Sequence, residues 1–467
     1  MAKISQTWFF TMKKAKSGYR CQNCGYFSTK WLGKCPECGS WNSFSENQFL
    51  ESITNNHLTK PSNLKVFTLA EINQQLTLGS AKTVYPFQNP QLNQFWGGGL
   101  TSGSLSLLAG EPGLGKSTLA LQLLRSLFQA NLQAGLKLFY VTAEEALTEL
   151  ARRSQRLGIP QEILLFQGNQ FEDILQVLQT YQPQVMVIDS IQTIFTNQLE
   201  NSPGSVSQVA FLANQFLSIS KAQNISFILI GHITKDGQIA GPKTLEHLVD
   251  SVLVLEAAKN TNYRTLSFSK HRFGSTEEIL LLKMETTGLQ IVADPSLALL
   301  ENLETGVGIV YGIAMDKNLP LIVEIQALVS TGNYSDHSFG RREGINLNNS
   351  KLNTILAIAE KYLNLKLKNL DVYVQISGLP KAITDDSLDL PILLAILSSL
   401  YSKPIQVLLN LDKKLNPQKI AFAGRLTLSG KIRQATSLDR RTSIAKNLGF
   451  LFNPNITIGN LDNLTFS

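Results

Sequence analysis

The feature that most restricts the fold of this chain is a phosphate-binding loop at residues 110–118, with the sequence GEPGLGKST. The loop fits the pattern GxxxxGK[ST], follows a short apolar run and opens a helical pattern, which is the context that this motif requires. Its glycines let backbone N–H groups wrap around phosphates, while Lys116 is expected to bridge the β- and γ-phosphates and the Ser117 hydroxyl to bind Mg²⁺. The candidate nucleotide-binding residues of the loop are Gly110, Glu111, Pro112, Gly113, Leu114, Gly115, Lys116, Ser117 and Thr118.

Apolar runs alternate with helical patterns around this loop. Strands are predicted at 104–109, 137–142, 185–189 and 226–231, and helices at 117–130 and 206–222. This alternation predicts βαβ units and a parallel sheet, hence an α/β P-loop ATPase core. The 467 residues leave room for further domains. We predict a four-cysteine module at 1–48, a linker at 49–65, the ATPase domain at 66–290 and an α+β domain at 291–467. For the last of these we predict strands at 321–330, 372–377 and 420–423 and helices at 351–363 and 390–401.

Four polar residues follow the predicted strands, at the edge where α/β sheets bind ligands. Asp189 ends an apolar run and is the second candidate Mg²⁺ ligand. Glu144 and Glu145 follow the strand at 137–142. We favour Glu144 as the catalytic residue that polarises the attacking water, with Glu145 capping the next helix. His232 is predicted to sense the γ-phosphate, and the alternative is an ordinary hydrogen-bonded loop histidine.

All four cysteines lie close together, in the spacing Cys21-x2-Cys24-x10-Cys35-x2-Cys38. Two CxxC knuckles turn four thiolates toward one point, which predicts a closed, structural Zn²⁺ site. A redox pair is the alternative, although two pairs this close disfavour it. A disulfide scaffold would instead spread its cysteines across a small secreted chain.

The net charge of +7 is concentrated near the two ends of the chain. Residues 1–48 hold seven Lys and Arg against two Glu, and residues 401–450 hold ten against two Asp. Two basic ends suggest two surfaces for a polyanion, and the alternative is a solvated face. Trp31 and Trp41 lie beside the cysteine knuckles and are expected to cover the small core of that module, with stacking on a base or a partner as the alternative.

The order of these motifs resembles the RadA (Sms) family of RecA-superfamily ATPases, and the likeness covers nearly the whole chain. It is carried by residues 21–44, 97–122, 187–193 (VIDSIQT), 201–209 (NSPGSVSQV), 231–253 and 321–330 (LIVEIQALVS). The resemblance implies a RecA-like core that uses ATP, Mg²⁺ and Zn²⁺. It also implies a DNA-dependent ATPase of recombinational repair, which processes or branch-migrates recombination intermediates.

The family's KNRFG motif stands here as Lys270-His271-Arg272-Phe273-Gly274, with His in the Asn position. By resemblance, the catalytic cations Lys270 and Arg272 reach the ATP of a neighbouring subunit, or couple ATP to DNA; the alternative is a basic surface loop. Such cations imply an oligomer, and the family implies a hexameric ring around single-stranded or branched DNA, with a RecA-type recombinase as partner. Loops at 197–206 and 235–243 are predicted to face the DNA.

Residues 291–467 resemble the proteolytic domain of Lon proteases, which makes an ATP-dependent protease a rival function. That chemistry needs a serine nucleophile and a lysine base. The alignment places Leu388 at the nucleophile and Asp439 near the lysine, and a one-residue slip would place Ser387 there instead. Both catalytic roles look absent, which predicts an inactive scaffold with a DNA-binding basic face. Its candidate residues are Arg341, Arg342, Lys413, Lys414, Lys419, Arg425, Lys431, Arg433, Arg440 and Arg441.

No apolar run is long enough to span a membrane, and the N-terminus has neither the apolar core nor the cleavage site of a signal peptide. We therefore expect a cytoplasmic protein. A third hypothesis for its function is a nucleotide-switched module that hydrolyses ATP slowly and docks partners through its zinc knuckle.

Overall fold

The structure is a computed structural model, and it describes residues 18–21, 27–28, 30–36, 39–47, 69, 83–232, 244–258, 262–300, 303–331, 340–378, 385–409, 416, 419–452 and 459–460. Some predictions fall outside these residues. They concern the linker at 49–65, the loop at 235–243, Cys24, Cys38, Lys413 and Lys414.

The cysteine module contains a three-stranded antiparallel sheet of order β2-β1-β3. Its strands are β1 Gly18–Cys21, β2 Phe27–Ser28 and β3 Phe44–Asn47. Cys21, Cys35 and Phe44 form its buried cluster, with Tyr19 and Leu32 packed against them. Among the described residues of the module this core is very small, which suits a module held together by a metal.

The central domain is built on a nine-stranded sheet. Its strands are β6 Leu105–Gly110, β7 Leu138–Thr142, β8 Leu164–Gln167, β9 Val185–Asp189, β10 Ser226–His232, β11 Ser251–Ala257, β12 Tyr263–His271, β13 Ile279–Glu285 and β14 Gly288–Ile291. A small antiparallel pair, β4 Val84–Tyr85 and β5 Leu100–Thr101, precedes it. The four strands predicted for this domain are all present.

The strand order is β14-β13-β12-β11-β6-β10-β9-β7-β8. The six strands from β11 to β8 are parallel, and β12, β13 and β14 extend the sheet with antiparallel pairs. Parallel strands in the middle of a sheet are buried on both faces, which explains the unbroken apolar runs in the sequence. The α/β class predicted for this domain is confirmed.

Helices cover both faces of this sheet. They are α1 Pro90–Phe95, α2 Lys116–Ala130, α3 Leu147–Arg156, α4 Phe171–Tyr181, α5 Val206–Gln223 and α6 Thr244–Leu248. Neighbouring strand residues point to opposite faces, so Leu108 and Tyr140 pack in one core while Leu107 and Phe139 pack in the other. The sheet is therefore the middle layer of three.

The C-terminal part is an α+β domain, as predicted. A five-stranded mixed sheet of order β17-β18-β16-β15-β19 is accompanied by the small sheet β20-β21-β22. The strands are β15 Ile309–Asp316, β16 Leu319–Thr331, β17 Arg342–Ile345, β18 Leu370–Ser377, β19 Ala421–Phe422, β20 Arg425–Leu426, β21 Lys431–Arg433 and β22 Gly459–Asn460.

Its helices are α7 Pro295–Leu299, α8 Asn349–Tyr362, α9 Asp389–Leu400, α10 Ile405–Leu408 and α11 Leu438–Leu448. Helix α9 is buried along most of its length and packs with α8 against the sheet. No helix among the described residues is long and apolar enough to cross a membrane.

Candidate ATPase site

The phosphate loop joins the buried strand β6 to the N-terminus of helix α2. Gly115 has φ of +100°, a left-handed conformation that a side chain would strain. A Cβ atom on Gly110 would lie 2.6 Å from the carbonyl oxygen of Leu255. A glycine-rich loop that feeds the N-terminus of a 15-residue helix is an anion-binding arrangement, because unpaired N–H groups and the helix dipole face the anion.

Lys116 is the cation of this loop and is only 5% exposed. Its Nζ donates hydrogen bonds to the carbonyls of Gly110 and Glu111, both at 2.9 Å. Burial lowers the pKa of Lys116, while the carboxylates of Asp189 and Glu144 act in the opposite direction. Both predicted acidic residues therefore lie close enough to influence the loop lysine.

The strand order explains why these residues meet. Strands β6, β10, β9 and β7 are parallel neighbours, so their carboxyl ends share one edge of the sheet. His232 pairs with Gly110 across β10 and β6, and Asp189 pairs with Thr142 across β9 and β7. The sequence places each residue after a strand, but only the order of the strands brings them to one site.

Tyr140 is a site residue that the sequence analysis did not single out. It is fully buried on β7, its Oη donates to Oδ2 of Asp189 at 2.5 Å, and it also shares a hydrogen bond with Ser117. Burial, followed by the nearby Asp189 carboxylate, raises the pKa of Tyr140 well above its usual value, so the phenol stays protonated and donates. It links the two predicted Mg²⁺ ligands, whose hydroxyl and carboxylate oxygens suit a hard cation.

A signal for Tyr140 was present in the sequence. It is the only residue with a polar tip before Thr142 in the apolar run LFYVT, and a buried tyrosine hydroxyl needs a hydrogen-bond partner. That rule predicts a partner but does not identify it. The pairing with Asp189 depends on β7 and β9 lying side by side.

Glu144 is held at the mouth of the site by a second hydroxyl. Ser190, fully buried beside Asp189, donates from Oγ to Oε1 of Glu144 at 2.5 Å. His232 Nε2 lies 3.7 Å from the same carboxylate oxygen. The Glu144 side chain remains 44% exposed, so it is accessible to water while one oxygen is fixed. Ser190 is a further positioning residue that the motifs did not indicate.

Glu145 points elsewhere. Its Oε2 pairs with Arg153 Nη1 at 2.9 Å. Helix α3 is preceded by Ala146, which makes no side-chain capping bond, so Glu145 does not supply the helix cap that we expected. Of the two adjacent carboxylates, Glu144 is the one that lies beside His232.

The segment after β9, predicted to face DNA, is largely exposed from residue 197 to residue 204. The buried amide of Gln208, near the start of α5, supports its base. Gln208 Nε2 donates to the carbonyls of Thr196, Leu199 and Asn201 at 3.1, 3.3 and 3.0 Å. The loop therefore has a fixed root and an exposed outer part.

Lys270 and Arg272 lie far from the phosphate loop of their own chain. Both cations are neighbours of His271 at the end of β12. His271 pairs with Ser251 on β11, and Ser251 pairs with Ser106 near the start of β6. The phosphate loop begins at Gly110, at the other end of β6. Gly110 is four residues from Ser106, a distance of about 13 Å along a strand that rises about 3.3 Å per residue. Within one subunit, these cations are at the opposite edge of the sheet from the nucleotide loop.

Each of the two cations has partners within the chain. Lys270 Nζ donates to the carbonyl of Glu246 at 2.6 Å, and Arg272 Nη1 lies 3.3 Å from Asp250 Oδ1. Burial lowers the pKa of Lys270, and the adjacent Arg272 lowers it further. Asp250 is itself buried and also binds Lys221 at 2.6 Å. Asp250 is a supporting residue that the sequence analysis missed.

His271, which replaces the family's asparagine, is a packing residue. Its ring stacks on Phe268 at 4.1 Å between centroids. Its Nδ1 lies 2.8 Å from the Ser251 hydroxyl, and its Nε2 lies 3.2 Å from the Trp96 carbonyl. A carbonyl can only accept, so Nε2 carries the proton and Nδ1 accepts from Ser251. Burial lowers the pKa of His271, which favours this neutral form.

Two of the four predicted zinc ligands are described, and both are buried. Cys21 and Cys35 belong to one cluster, and Gly39 N donates to Cys35 O at 2.9 Å in the second knuckle. Cys21 Sγ also lies 3.1 Å from the Ser43 hydroxyl. Two buried cysteines in one cluster, with a tight turn from Cys35 to Gly39, fit a structural Zn²⁺.

The C-terminal domain has no serine–lysine pair among its described residues at the aligned positions. Leu388 is buried in the apolar core, and Ser387 is fully buried with its Oγ 3.4 Å from the amide of Thr436. Asp439, at the aligned lysine position, stands in the first turn of α11. Neither register presents an exposed nucleophile with a lysine base, so the aligned positions lack the pair that this chemistry needs.

Arg441 is a correction to the predicted basic face, because it is fully buried. It pairs with Asp385 Oδ2 at 2.7 Å and donates to the carbonyls of Thr436 and Ile313. A buried guanidinium with satisfied donors is a structural ion pair, not a DNA contact. Among the described members of the predicted face, the exposed arginines and lysines are Arg341, Lys431, Arg433 and Arg440.

Three features lie at one edge of a parallel sheet: a glycine-rich loop, an acidic residue that ends a buried strand, and a glutamate after the neighbouring strand. Together they define an ATPase domain of the RecA-like class. A family model described as an AAA domain matches residues 80–238, and one described as a rubredoxin metal binding domain matches residues 19–46.

The DNA repair protein RadA of Aquifex aeolicus is 37% identical, with 94% of this chain and 93% of that protein covered. Those of Halalkalibacterium halodurans and Bacillus subtilis are 35% and 34% identical, each with 94% and 92% covered. The chain belongs to the RadA family of DNA repair proteins. The family resemblance predicted from the motifs is therefore confirmed.

Proposed function

We propose that this protein is a DNA-dependent ATPase of recombinational repair, which branch-migrates or otherwise processes recombination intermediates. Its membership of the RadA family supports the repair role, and the RecA-like domain supports ATP hydrolysis. The observation that carries the proposal is the fixed position of Glu144, hydrogen-bonded to Ser190 at 2.5 Å beside the phosphate loop. A carboxylate that is both oriented and accessible can polarise a water molecule for in-line attack on the γ-phosphate.

The proposed roles of the other site residues follow from their positions. The loop amides and Lys116 hold the phosphates, and His232, beside both Gly110 and Glu144, responds to the γ-phosphate. Ser117 and Asp189 would hold a magnesium ion, which neutralises phosphate charge when bound. Tyr140 keeps these two ligands in register, and Ser190 keeps Glu144 oriented. The four cysteines would hold a structural zinc ion.

We propose that Lys270 and Arg272 act on the nucleotide of an adjacent subunit. Their location at the far edge of their own sheet supports this, because they cannot reach their own phosphate loop. A head-to-tail contact that repeats in this way closes into a ring when its rotation allows closure. We propose a hexamer with single-stranded or branched DNA in its channel, near the exposed loop at 197–204, and a RecA-type recombinase as partner.

The test is steady-state ATP hydrolysis by the full-length protein with and without single-stranded DNA, at fixed salt because phosphate contacts are salt-dependent. We expect a several-fold rise with DNA. Lys116→Ala should abolish turnover, and Glu144→Gln should lower kcat by roughly 100-fold or more, as loss of a general base does. Lys137→Ala is the matched control, since Lys137 lies at the opposite end of the strands and its side chain donates to the Tyr181 carbonyl at 3.3 Å.

Binding of a fluorescent ATP analogue separates the two variants. Glu144→Gln should still bind the nucleotide, whereas Lys116→Ala should bind it weakly. Full turnover in Glu144→Gln would remove Glu144 from the mechanism. A flat response of the wild-type protein to DNA would favour the nucleotide-switched docking module over the DNA motor.

A further inference from the structure

Two tryptophans of the cysteine module are exposed, contrary to the expectation that they cover its core. Trp31 is 51% exposed and Trp41 is 72% exposed, whereas Trp96 in the ATPase domain is 2% exposed. Tryptophan has a large apolar surface, and leaving two of them in water on one small module is unfavourable unless something binds there.

The reason for their exposure is local. The small core is already filled by Cys21, Cys35 and Phe44, with Tyr19 and Leu32 against it. Leu32 packs against this core and Cys35 is buried in it, whereas Trp31 and Lys34 are exposed. The tryptophans are therefore not needed for packing.

A cation completes this surface. Lys34 and Trp41 are partners in an antiparallel bridge, and Lys34 Nζ lies 5.5 Å from the centre of the Trp41 ring. The Trp31 ring lies over Gly33, next to Lys34, at 3.7 Å from the position of a Cβ atom on that glycine. The exposed surface around Lys34 thus carries the Trp41 ring beneath the ammonium group and the Trp31 ring over the adjacent Gly33.

We propose that Trp31, Lys34 and Trp41 form a stacking platform for the bases of single-stranded DNA. Aromatic rings stack on unpaired bases without regard to sequence, and neighbouring cations pair with the phosphates. The charge of residues 1–48, seven cations against two acids, is complementary to a polyanion. The proposal rests on the proposed function, in which DNA is the ligand, and adds a contact outside the ATPase core.

Unpaired bases are favoured over duplex DNA because a flat ring can only stack on a base that is not already stacked in a helix. They are favoured over a protein partner because two exposed indole rings offer flat surfaces beside a cation, which suits bases and phosphates together. An acidic protein segment would use the lysine but would leave both indole faces without a flat partner.

The experiment compares two oligonucleotides of equal length, oligo(dT) and a fully abasic strand, bound to the full-length protein without nucleotide. Binding is followed by tryptophan fluorescence and by anisotropy of a label on the DNA. Stacking should quench the fluorescence with oligo(dT) and not with the abasic strand. Trp41→Ala should weaken oligo(dT) binding roughly 5- to 100-fold, the effect typical of one stacked base, and leave abasic binding unchanged.

Three controls separate stacking from misfolding. Trp41→Phe retains a ring and should recover most of the affinity, and the zinc content of each variant reports on the integrity of the module. Leu132→Ala removes a large side chain that is 64% exposed in the ATPase domain, and it should have no effect.

The wild type and Trp41→Ala could bind oligo(dT) equally well while DNA still stimulates the ATPase. That result would reject the stacking platform and leave the proposed function intact. The platform would also be rejected if Trp41→Ala bound an acidic peptide such as polyglutamate more weakly than the wild type does, but bound oligo(dT) equally well. Absence of both DNA stimulation and oligo(dT) binding in the wild type would instead reject the proposed function itself.

Discussion

Two hydroxyl groups hold the two acidic residues on which the candidate chemistry depends. Tyr140 holds Asp189, and Ser190 holds Glu144, each at 2.5 Å. A hydrogen bond to an ionised acceptor is stronger than one between neutral groups. It therefore fixes the orientation of a carboxylate and stabilises its negative charge. At the scale of single residues, the site is set by these supporting donors as much as by the motif residues.

Replacing Tyr140 with Phe tests this support. The ring still fills its buried place, but Oδ2 of Asp189 loses a donor, so the predicted Mg²⁺ ligands lose their common anchor. We expect the Mg²⁺ concentration for half-maximal ATPase activity to rise about tenfold, since a hydrogen bond to a charged group contributes about 1.5–3 kcal/mol. Titration of activity with Mg²⁺ measures the change.

The matched control is Tyr311→Phe in the C-terminal domain. Tyr311 is also buried and donates to a carboxylate, Glu324 Oε2 at 2.9 Å, but lies in a different sheet. Its loss should leave the Mg²⁺ dependence unchanged. If both variants respond alike, Tyr140 affects stability in general and does not position Asp189.

At the scale of secondary structure elements, a buried ion pair joins the start of helix α11 to the turn before α9. Arg441, on α11, binds Asp385 at 2.7 Å and the carbonyl of Ile313 on β15. These contacts occupy the region where the resemblance would place a catalytic serine and lysine. In this chain that region therefore carries a structural ion pair.

Arg441→Met should destabilise this domain by about 3–5 kcal/mol, because it leaves the Asp385 carboxylate buried without its partner. Hydrogen exchange in urea of amides in β15, β16 and β18 would measure the change. Arg440→Met is the control, since Arg440 is exposed and donates only to the Asn318 carbonyl at 2.8 Å. Restoration of stability in Arg441→Met/Asp385→Leu would confirm the cause, and an unchanged exchange rate in Arg441→Met would contradict it.

At the scale of the whole molecule, the two parts of the candidate catalytic machinery lie at opposite edges of one sheet. Gly110 and Lys116 are at the carboxyl ends of the parallel strands. Lys270 and Arg272 flank His271, which lies level with the start of β6 at the opposite ends of these strands. No rearrangement of side chains can bring them together within a subunit. The proposed catalytic role of Lys270 and Arg272 therefore implies a second copy of the chain.

Mixing two inactive variants tests that requirement. Lys116→Ala lacks a working phosphate loop and Lys270→Ala lacks the cation, so neither should hydrolyse ATP alone. In rings mixed in equal amounts, one junction in four joins an intact loop to an intact Lys270, so roughly a quarter of wild-type activity should return if the sites are independent. ATP hydrolysis by the co-purified rings, carrying two different tags, measures it. Mixed rings without activity would contradict the action of Lys270 on the nucleotide of an adjacent subunit.

The sequence by itself determined the local features, because they depend on neighbours along the chain. The phosphate loop, the strands around it, the paired cysteines and the α/β and α+β classes are all encoded in short spacings and periodicities. The positions of Glu144, Asp189 and His232 after strands were equally readable, since each follows an apolar run.

Only the tertiary structure decided which distant residues meet. The order β6-β10-β9-β7 brought Tyr140 to Asp189 and Ser190 to Glu144, and the antiparallel β12 carried Lys270 to the far edge. Burial was decided in the same way. Arg441 and Arg440 are identical neighbours in the sequence, yet one faces the domain core and the other faces water. Trp41 remained exposed because three other side chains already filled the small core of its module. A sequence motif does not show how much volume a core can hold.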